Sequence, residues 1–285
     1  MLTKLALLSF SMVTLVSLGI PLSFQGDKLK PEELLARHLN SIGPEKARLA
    51  VKTRVIAGTS QVVFRTAPVG ETYGRAVLAS EELKNLIGMS FHSPVYPREE
   101  FGFNGNNFLA AFVTPGVRSS LGSFLMNHDV IFKHGLMGGT LSSAWPLLDV
   151  SARQANLEYA GHRKIGNVSV YELKYLPRRA GDLQISIFFD EKTFEHVRTE
   201  YRRIIPAPTG NRTYTNVEER ESRYKLVEEF SSFSAEQELN LPHTYRIHFT
   251  SDAQSGTFEA EWMLKLSLFK FNEKIDPASF TISTN

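Results

Sequence analysis

The residues best equipped for chemistry in this 285-residue chain are few and poorly spaced for it. Ser222-Arg223-Tyr224-Lys225 fits the S-x-x-K pattern, in which one helical turn brings a lysine back over a nucleophilic serine. Here the surrounding text alternates as a strand does and the partner motifs are missing, so a chance match is expected. Of the eight histidines, His243 and His248 fall on opposite sides of a strand, and the interval between His128 and His134 suits no regular pair of metal ligands. A G-x-S-x-G elbow, an H-E-x-x-H pair and a Walker loop are all missing from the sequence. There is no cysteine, which rules out thiol catalysis, disulfides and a lipid-bearing N-terminal Cys. An enzyme is not expected, and no metal or cofactor is implied.

Charge gives little more. The 32 basic and 30 acidic residues leave a net charge of +2, with no field that would argue for nucleic acid. Arg198, Arg202 and Arg203, with Arg178 and Arg179, could hold acidic head groups, but Glu195 and Glu200 are interleaved with the first group. A solvated strand face is the better reading. Asn167-Val168-Ser169 and Asn211-Arg212-Thr213 are formal glycosylation sequons that receive no weight.

The elements that would have to position any site are clearer. Residues 30–42 carry Pro31 in a first turn, Glu32 and Glu33 near its positive end, and Leu34, Leu35, His38 and Leu39 at helical spacing, which predicts a helix ended by Gly43-Pro44. From residue 47 the period becomes two, broken by glycine and proline turns, and about ten or eleven strands are expected. In "TFEAEWMLKLSLFK" the residues Phe258, Ala260, Trp262, Leu264, Leu266 and Leu268 share one face; Ile185, Ile187 and Phe189, then Tyr245, Ile247 and Phe249, do the same in their strands. No βαβ alternation occurs, so a long antiparallel meander is predicted, curling around an apolar interior. The helical period returns only within 118–149. There the glycine-punctuated stretch "GLMGGTLSSAWPLLD" (135–149), without charge before its final aspartate, is too short to cross a bilayer.

At the N-terminus, Lys4, the apolar run over 5–16 and Ser17-Leu18-Gly19 read as a signal peptide of residues 1–19. The alternatives are cleavage as late as residue 25, or a retained anchor. Residues 28–285 are expected to form one domain.

Taken in order, several phrases resemble the LolA/LolB-like lipoprotein carriers of the bacterial envelope. "FGFNGNNFLAAFVTP" (101–115) is similar to their strand, turn, aromatic strand and proline, with Asn104-Gly105-Asn106 at the turn. "FFDEKTFEHVRTEY" resembles their strand, Asp-x-x-Thr turn and strand, and "FKFNEKIDPASF" (269–280) their closing phrase. The carriers' Arg-Pro before an aromatic strand has no counterpart in "GRAVLASEELKNLIGMSF", so no lid-latching arginine is carried over.

The resemblance implies a mainly β chain with helical additions: a half-open antiparallel β-barrel with an N-terminal helix and a helical lid at about 118–149. It implies a periplasmic, non-enzymatic binding or carrier protein for lipid or lipoprotein acyl chains. Inner-membrane donor and outer-membrane acceptor proteins would be its partners. The alternative is an envelope scaffold or sensor with a closed core and a protein partner, held at the inner membrane if the N-terminal segment is retained. In the lid, Leu136, Met137, Leu141, Trp145, Leu147 and Leu148 would face the barrel mouth, with Gly138-Gly139 as cap and hinge and Pro146 preventing one continuous helix. The apolar cavity would add Ile185, Ile187, Phe189, Tyr245, Ile247, Phe249, Phe258, Trp262, Leu264 and Leu266. The open alternative is that all of these simply fill a core.

Overall fold

The alternating text folds into one twelve-stranded antiparallel sheet in a computed structural model that describes residues 29–66, 70–179, 181–207, 220–253 and 256–283. The leader and the sequon at Asn211 lie outside those residues. Strands β1 (Thr53–Phe64), β2 (Gly70–Glu81), β3 (Lys84–Phe91), β4 (Arg98–Phe103) and β5 (Phe108–Ala110) form the first half. The second half comprises β6 (Ala155–Ile165), β7 (Val168–Pro177), β8 (Gln184–Asp190), β9 (His196–Ile205), β10 (Ser222–Glu236), β11 (Leu239–Ala253) and β12 (Gly256–Phe271). Each half is a meander, and β1 pairs with β12 to join them in the order β5-β4-β3-β2-β1-β12-β11-β10-β9-β8-β7-β6.

There are more strands than the turn signals mark, because two hairpins reverse without glycine or proline. They turn at Glu82-Leu83 and Gln237-Glu238, where Glu82 (φ 52°) and Gln237 (φ 57°) take the left-handed conformation. The turns that the signals do mark are built as their side chains suggest. Asn104 Oδ1 accepts from the Asn106 and Asn107 N–H groups, and Asp190 Oδ1 from those of Lys192 and Thr193.

The sheet stays open because its edge strands, β5 and β6, are joined by chain rather than by hydrogen bonds. Residues 111–154 make that link through α3 (Ser120–Asn127), α4 (Val130–Lys133), two short 3-10 turns and α5 (Val150–Arg153). Before the sheet, α1 (Pro31–Ile42) buries Leu34, His38 and Ile42. It is followed by α2 (Glu45–Ala50), so residues 47–50, expected to begin a strand, are helical; Pro44 at the N-cap and Glu45 in the first turn favour that outcome.

One expected strand face breaks. Phe258 through Leu266 do share the inner side of β12, but Leu268 is 47% exposed. Ala57 pairs with Leu268 and Gly58 with Leu266, so Ser267 is an extra residue that inverts the alternation, and Phe269 and Phe271 pack inward in its place. The architecture is the half-open antiparallel barrel with helical additions that the resemblance implies.

Candidate functional site

All the residues expected to line a lid and cavity come together in one apolar cluster on the concave side of the sheet. Leu136, Met137, Leu141, Trp145 and Leu147 of the insertion are buried, as are Ile185, Ile187, Phe189, Tyr245, Ile247, Phe249, Trp262, Leu264 and Leu266 of the wall; Leu148 and Phe258 are partly buried beside them. Residues 135–149 therefore sit inside the curl of the sheet as a plug.

The lack of charge in this stretch has a structural cause. Most of its backbone lies where water does not reach, so those N–H and C=O groups must bond to each other or to side chains around them. The Gly138 N–H donates to Glu228 Oε1 at 2.7 Å, the Thr140 carbonyl accepts from Arg54, and the Ser143 N–H donates to Ser80 Oγ at 2.9 Å. The Ala144 carbonyl accepts from Arg153 Nη2 at 2.8 Å, and just upstream Asn85 Nδ2 donates to the Phe132 carbonyl at 3.3 Å. Trp145 Nε1 donates to His38 Nε2 at 3.0 Å and its ring stacks on His196, centroids 4.5 Å apart.

The glycines serve the same packing. Gly138 and Gly139 have φ of 84° and 51°, and a Cβ on Gly139 would lie 2.6 Å from His196 Nδ1. A Cβ on Gly135 would lie 2.0 Å from the Ala144 carbonyl oxygen. Pro146 starts a short 3-10 turn, Pro146–Leu148, and the two short helices expected on either side of Gly138-Gly139 are replaced by this turn and by Gly139–Leu141.

Glu228 is the centre of this arrangement. Its side chain is fully buried and accepts from Tyr201 Oη at 2.7 Å and Tyr245 Oη at 2.5 Å as well as from Gly138. Burial pushes its carboxyl up to about 7, although all three donors favour the charged form. A second buried carboxylate, Glu99, holds the start of the insertion by accepting from Ser119 Oγ at 2.9 Å and from Tyr96; burial raises it to about 7 as well. The buried imidazoles move the other way. Burial lowers His38 to about 4 and His196 well below its ordinary value, so both are neutral. The His38 tautomer follows from its partners: Nδ1–H meets the Phe194 carbonyl at 3.1 Å and Nε2 accepts from Trp145.

Sequence reasoning found the apolar residues and missed the polar ones that hold them. Glu228 did carry a signal, since it stands at the inward parity between Leu226 and Phe230 of β10. Arg203 was grouped with Arg198 and Arg202, and this is corrected. Arg198 and Arg202 bond Glu200 on the convex face, whereas Arg203, of opposite parity, reaches His128 of the insertion at 3.3 Å. Ser222 and Lys225 lie in β10, as the reading of S-x-x-K as a strand requires, and Lys225 faces Glu200 at 3.8 Å. His243 and His248 are separately bonded to Glu236 and Glu259.

No family model matches the chain, and no curated protein matches its sequence. Among solved structures, the chain is similar to a DUF1329 family protein from Desulfovibrio piger, with 9% identity, a TM-score of 0.45, and 89% of this chain and 97% of that chain covered. It is also similar to a LolA superfamily protein from Nitrosomonas europaea, with 13% identity, a TM-score of 0.47, and 88% of this chain and 97% of that chain covered.

Proposed function

We propose that the protein is a non-enzymatic binding or carrier protein for lipid, or for the acyl chains of lipoproteins, working after export in the periplasm. An acyl chain would occupy the concave face in place of residues 135–149. The observation that carries this reading is topological: the sheet's apolar face is covered by an insertion strung between its two free edges, with α1 packed beside it. Withdrawal of that insertion would open the face that carries Ile187, Ile247 and Trp262 without breaking a strand pairing.

Reversibility is what a carrier requires, and the plug supplies a means. Burying about 14 methylenes at roughly 0.8 kcal/mol each offers on the order of 11 kcal/mol. Displacing the plug cancels part of this through its own apolar contacts and its hydrogen bonds to the wall, so cargo held on this face could also be released. Among the described residues no helix is long and apolar enough to cross a membrane. Inner-membrane donor and outer-membrane acceptor proteins are the partners such a cycle needs.

The test uses the absence of cysteine. The Ser143 N–H donates to Ser80 Oγ at 2.9 Å, which makes the two residues neighbours, and the double variant Ser80→Cys/Ser143→Cys is designed to tie plug to wall by oxidation. Fluorescent fatty acid should load the reduced form and not the oxidised form, and native mass spectrometry should find lipid on the wild type as purified. Equal loading of both redox forms, with disulfide formation verified by thiol titration, would refute the displaced plug. The second reading is a closed-core scaffold or sensor for a protein partner, favoured by the bonds from Glu228, Arg54, Ser80 and Arg153 to the plug backbone. It predicts no lipid on the wild type and no loading of either form.

A further inference from the structure

Beside the start of the insertion, where α3 meets the ends of β9, β10 and β11, lies an open cleft of about 560 Å³. That volume is in the range of small-molecule sites. Among the described residues its charged side chains are Arg118 and Arg203, and no carboxylate lines it. Arg203 is oriented by Asp182 at 3.2 Å and by His128 Nε2, while its buried Nε–H has no hydrogen-bond partner among the described residues. Arg118 is fixed by its Nε–H to the Ala110 carbonyl at 2.9 Å and by the Phe112 ring, 4.3 Å beneath its guanidinium. Two cations are thus held in place with donor capacity left over. Ser120, Ser123 and Ser251 add hydroxyls around them.

The other wall is aromatic. Phe124 stacks on His128 at 4.5 Å and on Tyr224 at 6.0 Å, and lies 5.2 Å from Phe249. Phe124 and Phe249 also belong to the apolar cluster of the barrel interior. The cleft therefore offers guanidinium and hydroxyl donors on one side and, on the other, the edges of Phe124 and Phe249, whose rings are packed in the apolar cluster of the interior. That pairing of surfaces matches an anionic amphiphile.

We infer that this cleft binds the phosphate head group of a lipid, with Arg118 and Arg203 on the phosphate oxygens and the first part of the tail along Phe124 and Phe249. Arginine suits the role because its planar donors engage phosphate in pairs. The inference rests on the carrier reading and narrows it, giving the cargo a negative head and placing that head at one end of the insertion. A free phosphate shares the head-group chemistry but cannot use the aromatic wall.

Calorimetry with three probes tests it: oleoyl lysophosphatidic acid, chain-matched monooleoylglycerol and inorganic phosphate. Wild type should bind the lysophosphatidic acid at least about tenfold more tightly than the monooleoylglycerol, and inorganic phosphate far more weakly than either. Arg118→Gln and Arg203→Gln should each erase most of the preference and leave monooleoylglycerol binding unchanged, while Arg203→Lys should restore part of it. Arg118→Gln keeps the test decisive if loss of the Asp182 and His128 contacts destabilises Arg203→Gln, and melting temperatures identify that case. Equal binding of the two lipids by wild type, or a preference that survives Arg118→Gln, overturns the head-group site and leaves the carrier reading intact. Phosphate binding as tight as the lysophosphatidic acid overturns the lipid assignment. If neither lipid binds, the carrier reading fails together with this one.

Discussion

The insertion has two halves that solve the same problem in opposite ways. In its first half, α3 satisfies its own backbone: Ser119 caps it by accepting from the Gly122 N–H at 2.7 Å, and Ser120 and Ser123 face the cleft. In its second half, residues 135–149 have too little regular structure to do so, and wall side chains take over, with Glu228 and Arg54 fully or nearly fully buried for the purpose. The contrast separates local from long-range specification. A helix needs only its cap and its period, whereas an irregular buried segment needs donors and acceptors delivered from distant strands.

If that difference is real, changes in the second half should cost far more than changes in the first. Gly135→Ala places a methyl group 2.0 Å from the Ala144 carbonyl at a backbone φ of 73°, and should destabilise by about 4 kcal/mol or more in urea unfolding. Gly116→Ala, also at positive φ (75°) but with nothing near its Cβ, should cost only about 1 kcal/mol. Equal costs would erase the comparison. Glu228→Leu strands two tyrosine hydroxyls and the Gly138 N–H, and should cost about 3 kcal/mol.

The pH profile sharpens the same point. Glu228 and Glu99 ordinarily titrate at 4.5 and are raised to about 7 in the folded protein. Between those values the folded state holds protons that the unfolded chain has released, so both carboxyls make stability fall as pH rises. His38 and His196, lowered from 6.5, act in the opposite sense: the unfolded chain takes up protons that the folded state excludes, so stability falls as pH drops below 6.5. From about pH 4.5 to 6.5 the two pairs oppose each other. Glu228→Gln removes one opposing group, and relative to wild type its stability should gain about 1.4 kcal/mol per pH unit across that interval. Chemical denaturation at pH 5.0 and 6.5 measures this, and parallel profiles would show that Glu228 is not protonated where it meets the plug.

Smaller effects follow. Trp145→Phe loses the bond to His38 and part of the stack on His196, at about 1.5 kcal/mol by thermal unfolding. Ser119→Ala removes the α3 cap, at about 1 kcal/mol. Hydrogen exchange should then quicken in α3 and not at Gly138 or Ser143; faster exchange throughout the insertion would mean that its halves do not act separately.

What could be read beforehand follows the same division. The N-terminal helix, the inner faces of β8, β11 and most of β12, and the Asp190 and Asn104 turns were legible because each depends on neighbours in sequence. So was the placement of a greasy helical insertion between two meanders. The hairpins at Glu82-Leu83 and Gln237-Glu238 were not, because their left-handed residues carry no glycine or proline mark. The inversion at Leu268 was missed for a related reason: the adjacent apolar pair Leu268-Phe269 marks a change of phase, but a bulge is a property of two paired strands and only the pairing with β1 places it. Arg203 was legible by parity and was misgrouped through adjacency in the chain.

By its sequence alone the protein was committed to apolar stripes of period two, to an insertion with an uncharged, glycine-bearing stretch and to a fold without disulfides. These are consequences of local geometry and composition, which any short window of the chain contains. Only the tertiary structure decided that the stripes close on the insertion rather than on one another, that Glu228 meets Gly138 across 90 positions of chain, and that Arg203 faces α3 while Arg202 faces outward. Those outcomes depend on register and curvature summed over the whole sheet. A shift of one residue in any pairing would move every partner to the opposite face.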